Sequence, residues 1–241
     1  MSFRRIGNTV IKVKVKSSHD ESLFEIKNEA SPFLMRSICT ANATATNSIE
    51  VKADDVLTMR DYLKRNRHAT EMYVALRLVH DLGKQMQALI SAGRSIACIG
   101  VDDVVVITHR NSDAFVHKSI DDPDSTLGDS RMDPQFLFLN DTLIFELEDD
   151  GTLIVDRALK HGFMSPELHE LQLNPMQPRA IQVHFKTIYY SVAQLVIYFL
   201  LNVDRIPEDT AYLNPIKGTK LYWFLLRCLN PVPAERKYIY I

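Results

Sequence analysis

The chain has 241 residues, 46% of them apolar, which is enough to bury a full core as one large domain or two small lobes and too apolar for general disorder. Charged residues make up 24%, and 28 basic against 30 acidic side chains leave a net charge of −2, which exerts no global pull toward nucleic acid. Cys39, Cys98 and Cys228 form no Cys-x-x-Cys pair, so neither a disulfide framework nor a cysteine zinc site is expected, and a reducing, cytoplasmic compartment fits best.

Arg4 and Arg5 are followed by no apolar run, so no signal peptide is expected, and the most apolar stretch, 188–203, falls short of the about 20 residues that a membrane crossing needs. Ile11, Val13 and Val15 alternate with Lys12, Lys14 and Lys16, the period of a half-buried strand over 9–16. Ser17-Ser18-His19-Asp20 supplies caps for a short helix over about 20–30, stopped where Ser31 precedes Pro32. Residues 33–40 and 48–52 read as strands and 53–57 as a connector.

From residue 56 the pattern turns helical. A short helix is expected over 58–65, and Thr70 can cap a longer one ending at Gly93. In that helix Met72, Ala75, Leu76, Val79, Leu82, Met86, Leu89 and Ile90 recur at three- and four-residue steps, which predicts one apolar stripe. Residues 104–108 and 136–139 are strand-like and flank an aspartate-rich insert near 109–134 that reads as a mobile surface loop, whose charge suits either a docking segment or plain solubility. The runs 143–147 and 152–155 read as a strand pair joined through Glu148-Asp149-Asp150-Gly151. Residues 189–201 are apolar nearly all round, as in a helix at the centre of a helical domain, and 219–229 predicts a further helix. The expected class is α+β, with a strand-rich lobe carrying one helix over 1–55 and a mainly helical lobe over 56–241.

Three segments then bear on family. Phe163-Met-Ser-Pro-Glu-Leu168 resembles the Ala-Pro-Glu motif that closes the activation segment of protein kinases, with serine in place of alanine. The apolar run 190–201 is similar to that family's buried central helix, and Arg227-Cys-Leu229 followed by Pro233-Ala-Glu-Arg236 resembles its late Arg-Cys-Leu segment. The resemblance implies a two-lobed kinase fold with a reduced N-terminal lobe. It also implies a buried ion pair between Glu167 and Arg236, tying the activation segment to the helical lobe. The compact layout and the run from Phe136 to Asp141 resemble divergent kinase-like proteins of large DNA viruses, which implies a viral source and a host-cytoplasmic or virion location.

The chemical parts of that family are where the sequence departs. Phosphoryl transfer needs a glycine-rich loop over the phosphates, a strand lysine paired to a helix glutamate, an aspartate base, and an asparagine and a second aspartate for Mg²⁺. Gly7 is the only glycine before residue 83, so the loop is absent. Lys12 or Lys14 with Glu21 or Glu25 are the candidates for the nucleotide-facing pair. Aligning 104–106 with the strand after the catalytic loop puts Asp103 at the metal-binding asparagine and Cys98 at the catalytic aspartate, where a thiol cannot act as the carboxylate base. Asp141, after the next strand, is the metal candidate, and Ile188 stands where the central helix of kinases carries an aspartate.

The expectation is therefore a pseudokinase without ATP or Mg²⁺, acting as an interaction scaffold for a protein partner and contacting neither membrane nor nucleic acid. An active atypical Ser/Thr kinase, recruiting Lys12 or Lys14, Asp102 or Asp103, and Asp141, is the alternative. A structural or assembly subunit unrelated to kinases is the third reading.

Overall fold

The structure is a computed structural model that describes residues 2–6, 9–13, 16–18, 21–27, 34, 42–45, 48–53, 55–66, 72–110, 132–159, 162–172, 180–202 and 210–239. These residues form a mixed α+β protein of small antiparallel sheets and helices. Strands β1 (Ser2–Ile6) and β2 (Thr9–Val13) make a hairpin in which Lys12 stands opposite Phe3. A four-stranded sheet follows in the order β3-β4-β6-β5, from β3 (Lys16–Ser18), β4 (Glu21–Lys27), β5 (Asn42–Ala45) and β6 (Ser48–Ala53).

The helix expected over 20–30 is thus a strand. In β4, Phe24 lies opposite Val51 and Ile26 opposite Ile49, and Ile26 and Ile49 are buried to 1% exposure or less. Pairing with a β-branched partner strand overrides a local helical pattern only seven residues long. Of the stretch 33–40, read as a strand, only Leu34 lies within the described residues, and it is helical and buried. The expected connector over 53–57 is also a strand in large part: β7 (Asp55–Thr58) pairs with β9 (Val104–Arg110), and β10 (Met132–Phe138) pairs with the other side of β9. Residues 111–131 of the expected insert lie outside the described residues.

Thr58 ends β7 and caps helix α1 (Met59–Arg65), its hydroxyl accepting the Asp61 N–H at 3.2 Å, so one residue both closes the strand and satisfies an orphan helix donor. Helix α2 (Met72–Ser91) realises the long apolar stripe, with Ala75, Leu78, Val79, Leu82 and Leu89 buried. Its buried face is wider than that stripe and includes Asp81 and Gln85, both fully buried.

These two polar residues face the free edge of β10. The Gln85 side chain donates to the Phe136 carbonyl at 2.7 Å and accepts from the Phe138 N–H at 2.8 Å, while Asp81 accepts the Phe136 N–H at 3.0 Å. Two side chains one turn apart therefore do the work of a fourth strand, and buried edge groups that would each cost free energy are satisfied. Arg77 at 3.2 Å balances the Asp81 charge.

The strand pair expected from 143–147 and 152–155 divides between two partners. After α2, strand β8 (Arg94–Ile96) pairs with β11 (Ile144–Glu146), and β12 (Thr152–Val155) pairs with β13 (Ile181–His184), leaving one bridge, Leu147 to Leu153, between the runs. Helices α3 (Pro166–Gln172), α4 (Thr187–Leu201) and α5 (Lys220–Cys228) complete the set. Helix α4 is central, with Ile188, Val192, Ala193, Leu195, Val196 and Ile197 fully buried, and it ends at Asn202 in the left-handed conformation that asparagine tolerates. Tyr62, Phe136 and Phe199 join α1, β10 and α4, with Phe136 edge-on to the other two rings at 6.4 and 6.1 Å.

Replacing Gln85 with leucine, apolar and of similar size, strands the Phe136 carbonyl and the Phe138 N–H. A loss of about 2–4 kcal/mol is expected in chemical denaturation, whereas the exposed Lys84 on the same helix should tolerate a change to leucine.

Candidate functional site

The loop 97–103 between β8 and β9 holds Cys98 and Asp103, the residues that the kinase resemblance sets at catalytic positions. Cys98 is fully buried, and burial, with the Asp103 charge adding to it, pushes its thiol up to about 12. A thiol so held is protonated at neutral pH and has no base or nucleophile chemistry.

Asp103 ends a 3₁₀ turn (Val101–Asp103) and is 5% exposed. One carboxylate oxygen accepts the Gly100 N–H at 2.7 Å, and the other accepts the Asn140 side-chain amide at 2.6 Å. Asn140 follows β10 and is buried, its own carbonyl oxygen accepting the Thr142 hydroxyl at 2.6 Å. The backbone joins the same place, with the Leu139 N–H bonded to the Asp103 carbonyl at 2.9 Å. A cation at Asp103 would have to compete with the Gly100 N–H and the Asn140 amide that its carboxylate already accepts.

The residue meeting Asp103 is thus Asn140, and Asp141 points the functional expectation elsewhere. Asp141 opens the next 3₁₀ turn (Asp141–Leu143) and lines a separate cleft of about 510 Å³ beside β11 and β12. Among the described residues no group of three or more His, Cys, Asp or Glu side chains is placed to hold a metal ion.

The loop is also covered. Phe163 bridges to Ile99, its N–H donating to the Ile99 carbonyl at 2.9 Å. Gly162 has φ +113°, and a Cβ there would lie 3.2 Å from the Cys98 sulfur, while a Cβ on Gly100 would come within 3.0 Å of the Gly162 Cα. Two glycines let the segment before α3 lie directly against the loop.

Of the expected nucleotide pair, Lys14 lies outside the described residues. Lys12 is on β2, and Glu25 is on β4 opposite Glu50, so Glu25 sits on a strand and not on the helix that the family's lysine partner requires. Asp102, offered to the active-kinase reading, is taken up by Arg60 of α1 in a two-pronged ion pair at 2.7 and 2.8 Å.

Glu167 and Arg236 are brought together from 69 residues apart. The guanidinium donates to both Glu167 oxygens, at 2.6 and 2.9 Å, its Nε donates to the Asn230 carbonyl at 2.8 Å, and it lies 5.1 Å over the Tyr190 ring. Arg236 is fully buried, and Glu167 keeps 23% of its side chain exposed. Burial works to raise the Glu167 pKa. The Arg236 hydrogen bonds, its own backbone N–H, Ser165 and the Arg236 charge outweigh that effect and leave it below the ordinary value. Nearby, the Ser165 and Thr187 hydroxyls share a buried hydrogen bond that ties the start of α3 to α4, and the Tyr238 hydroxyl donates to the Val79 carbonyl, so the segment beyond α5 is tied to α3 through Arg236 and to α2 through Tyr238.

Sequence reasoning missed the Asn140 partnership, the Arg60–Asp102 pair and the Asp81–Gln85 edge. The signal for the last was present, since two polar residues at i and i+4 interrupt an apolar helix face. No protein-family model matches the chain, and no curated protein matches it significantly.

Breaking the ion pair leaves a buried guanidinium uncompensated, so Glu167→Gln is expected to cost about 3 kcal/mol, the lower end of the usual range because Glu167 keeps some solvent. A double-mutant cycle with Arg236→Met should return a coupling well above 1 kcal/mol, and additive losses would deny the pair. Because the folded-state pKa of Glu167 is depressed, the pair's contribution is complete above the unfolded value near 4.5 and is lost as pH falls through the folded value below it. The acid limb of a stability profile should therefore flatten in Glu167→Gln.

Proposed function

We propose that the chain is a two-lobed, protein-kinase-like pseudokinase that does not transfer phosphate and serves as an interaction scaffold for a protein partner. The observation that carries this reading is the state of the loop 97–103. Where the family needs an exposed carboxylate base there is the buried Cys98 thiol, and the carboxylate of Asp103 is consumed by Gly100 and Asn140. Loss of the general base alone removes roughly 10²–10⁴ in rate.

The element order supports the kinase-like part. A long helix leads to β8, the loop, the β9–β10 hairpin and β11, which returns to pair with β8; Ser165-Pro166-Glu167 and the buried central helix follow. The bidentate Glu167–Arg236 pair, which the resemblance implies, supports the same reading. What is retained is the apparatus that holds the helical part rigid, and what is lost is the apparatus that positions phosphate. That division suits a protein whose surface is its product.

The test is thermal melting with and without millimolar ATP and Mg²⁺. A ligand at about 100 times its dissociation constant adds roughly 2.7 kcal/mol to stability, a shift of about 5–10 °C for a chain of this size. No shift is expected in a protein that melts cooperatively. A Mg²⁺-dependent rise that Asp103→Asn or Asp141→Asn abolishes would overturn the reading in favour of an active atypical kinase.

A further inference from the structure

Helix α5 buries Leu221, Phe224, Leu225 and Cys228 and turns one narrow stripe outward. That stripe is Lys220, Trp223 and Arg227, at steps of three and four, and all three are exposed. Trp223 is the only tryptophan of the chain and is 55% exposed, the most of any large apolar side chain among the described residues. Neither Lys220 nor Arg227 has an ion-pair partner among the described residues, and the helix contains no acidic residue. An exposed indole between two cations that have no ion-pair partner among the described residues, on a helix otherwise packed into the core, is the composition of an interface anchor.

The complementary surface is on the same molecule. The cleft of about 510 Å³ beside β11 and β12 is floored by Ile144, Phe145 and Ile154, the last 39% exposed, and bears four carboxylates against two guanidiniums. One guanidinium, Arg157, is already spent: it bonds Asp156 at 3.0 Å and lies 4.8 Å over the Phe145 ring. Glu146 and Glu148 have no ion-pair partner among the described residues. The volume is within the about 300–1,000 Å³ of ordinary binding pockets, ample for one indole with room for its flanking aliphatic stems.

We infer that the chain self-associates by seating the Lys220–Trp223–Arg227 stripe of one copy in the Glu146–Glu148 cleft of another. Trp223 covers Ile154 and Phe145, and the two cations meet Glu146 and Glu148. The inference stands apart from the kinase-like reading, since it uses neither the loop 97–103 nor the Glu167–Arg236 pair. A contact of one helix stripe in one cleft is small, so it is a weak, reversible association, assisted by opposite charge and reduced by salt.

Sedimentation velocity over a concentration series tests it with the full chain. The weight-average mass is expected to rise above 27.6 kDa with concentration at low salt and to fall back at high salt. Trp223→Ala should weaken association by roughly tenfold or more, the usual consequence of losing a central aromatic anchor. Arg227→Glu and Glu146→Arg should each hold the chain monomeric, and mixing the two variants should restore association, because the reversed stripe then meets the reversed cleft. All three positions are exposed, so unchanged thermal melts are expected to show that the variants fold. A chain that stays at monomer mass throughout, association untouched by Trp223→Ala, or a charge-swapped mixture that fails to associate would each overturn the proposal.

Discussion

The free edge of β10 is the constraint on which the middle of the molecule depends. β10 lies at the end of its sheet, with fully buried phenylalanines at 136 and 138, so its outward backbone groups have no access to water and must find protein partners. Helix α2 supplies them through Asp81 and Gln85. Because those bonds are directional, they fix the rise and rotation of α2 against the sheet, which apolar packing alone leaves adjustable by a rotamer or a small slide. Once β10 is fixed, its C-terminal continuation is fixed too: Leu139 bonds the Asp103 backbone and Asn140 reaches the Asp103 carboxylate. The loop 97–103 is therefore held from behind by a chain of bonds that begins on the helix.

A second tie acts over a longer span. Arg236 is fully buried, and an unpaired guanidinium in that place would be prohibitive, so each of its three nitrogens donates to a fixed acceptor. The bidentate geometry suits arginine and not lysine, whose single ammonium could not meet Glu167 and the Asn230 carbonyl together. Buried ion pairs contribute little net stability against a well-packed apolar alternative. What this one supplies is position: it brings the start of α3 and the residues beyond α5 to the flank of α4, where Tyr238 reaches α2. With Phe163 bonded to Ile99, the segment before α3 is clamped at both ends, on the loop and on the ion pair.

The two long helices, α2 and α4, were legible in the sequence because their apolar periods are long. The stripe from Met72 to Ile90 and the all-round apolar run of α4 each repeat often enough to outweigh any local contradiction. The strands were read less well. β4 has seven residues, with apolar positions at 23, 24 and 26 that satisfy a helical and an extended reading alike, and only its partner β6 decides between them. β8 and β13 have three and four residues and carry no pattern of their own, since each is a strand by virtue of its neighbour. At the site, Glu167 and Arg236 were legible from the motifs around them. The partner of Asp103 was not, because whether Asn140 or Asp141 faces the loop is set by where β10 stops, and that is a matter of a single residue's rotation.

That single residue has a chemical consequence. Asparagine donates to Asp103 through its amide, so the two side chains neutralise each other's hydrogen-bonding demand without a metal; a carboxylate in its place would repel Asp103 and require a cation or a proton to bring the two together. The loop is thus closed by a bond made entirely within the chain, and its geometry does not wait on a ligand. The neighbouring Cys98 is consistent with the same outcome, because a neutral thiol can be buried among apolar neighbours at little cost where a carboxylate could not. Gly100 and Gly162 then allow the backbone before α3 to lie flush on the loop. Each of these features helps to hold the loop in one place, and together they are what supports the proposed reading.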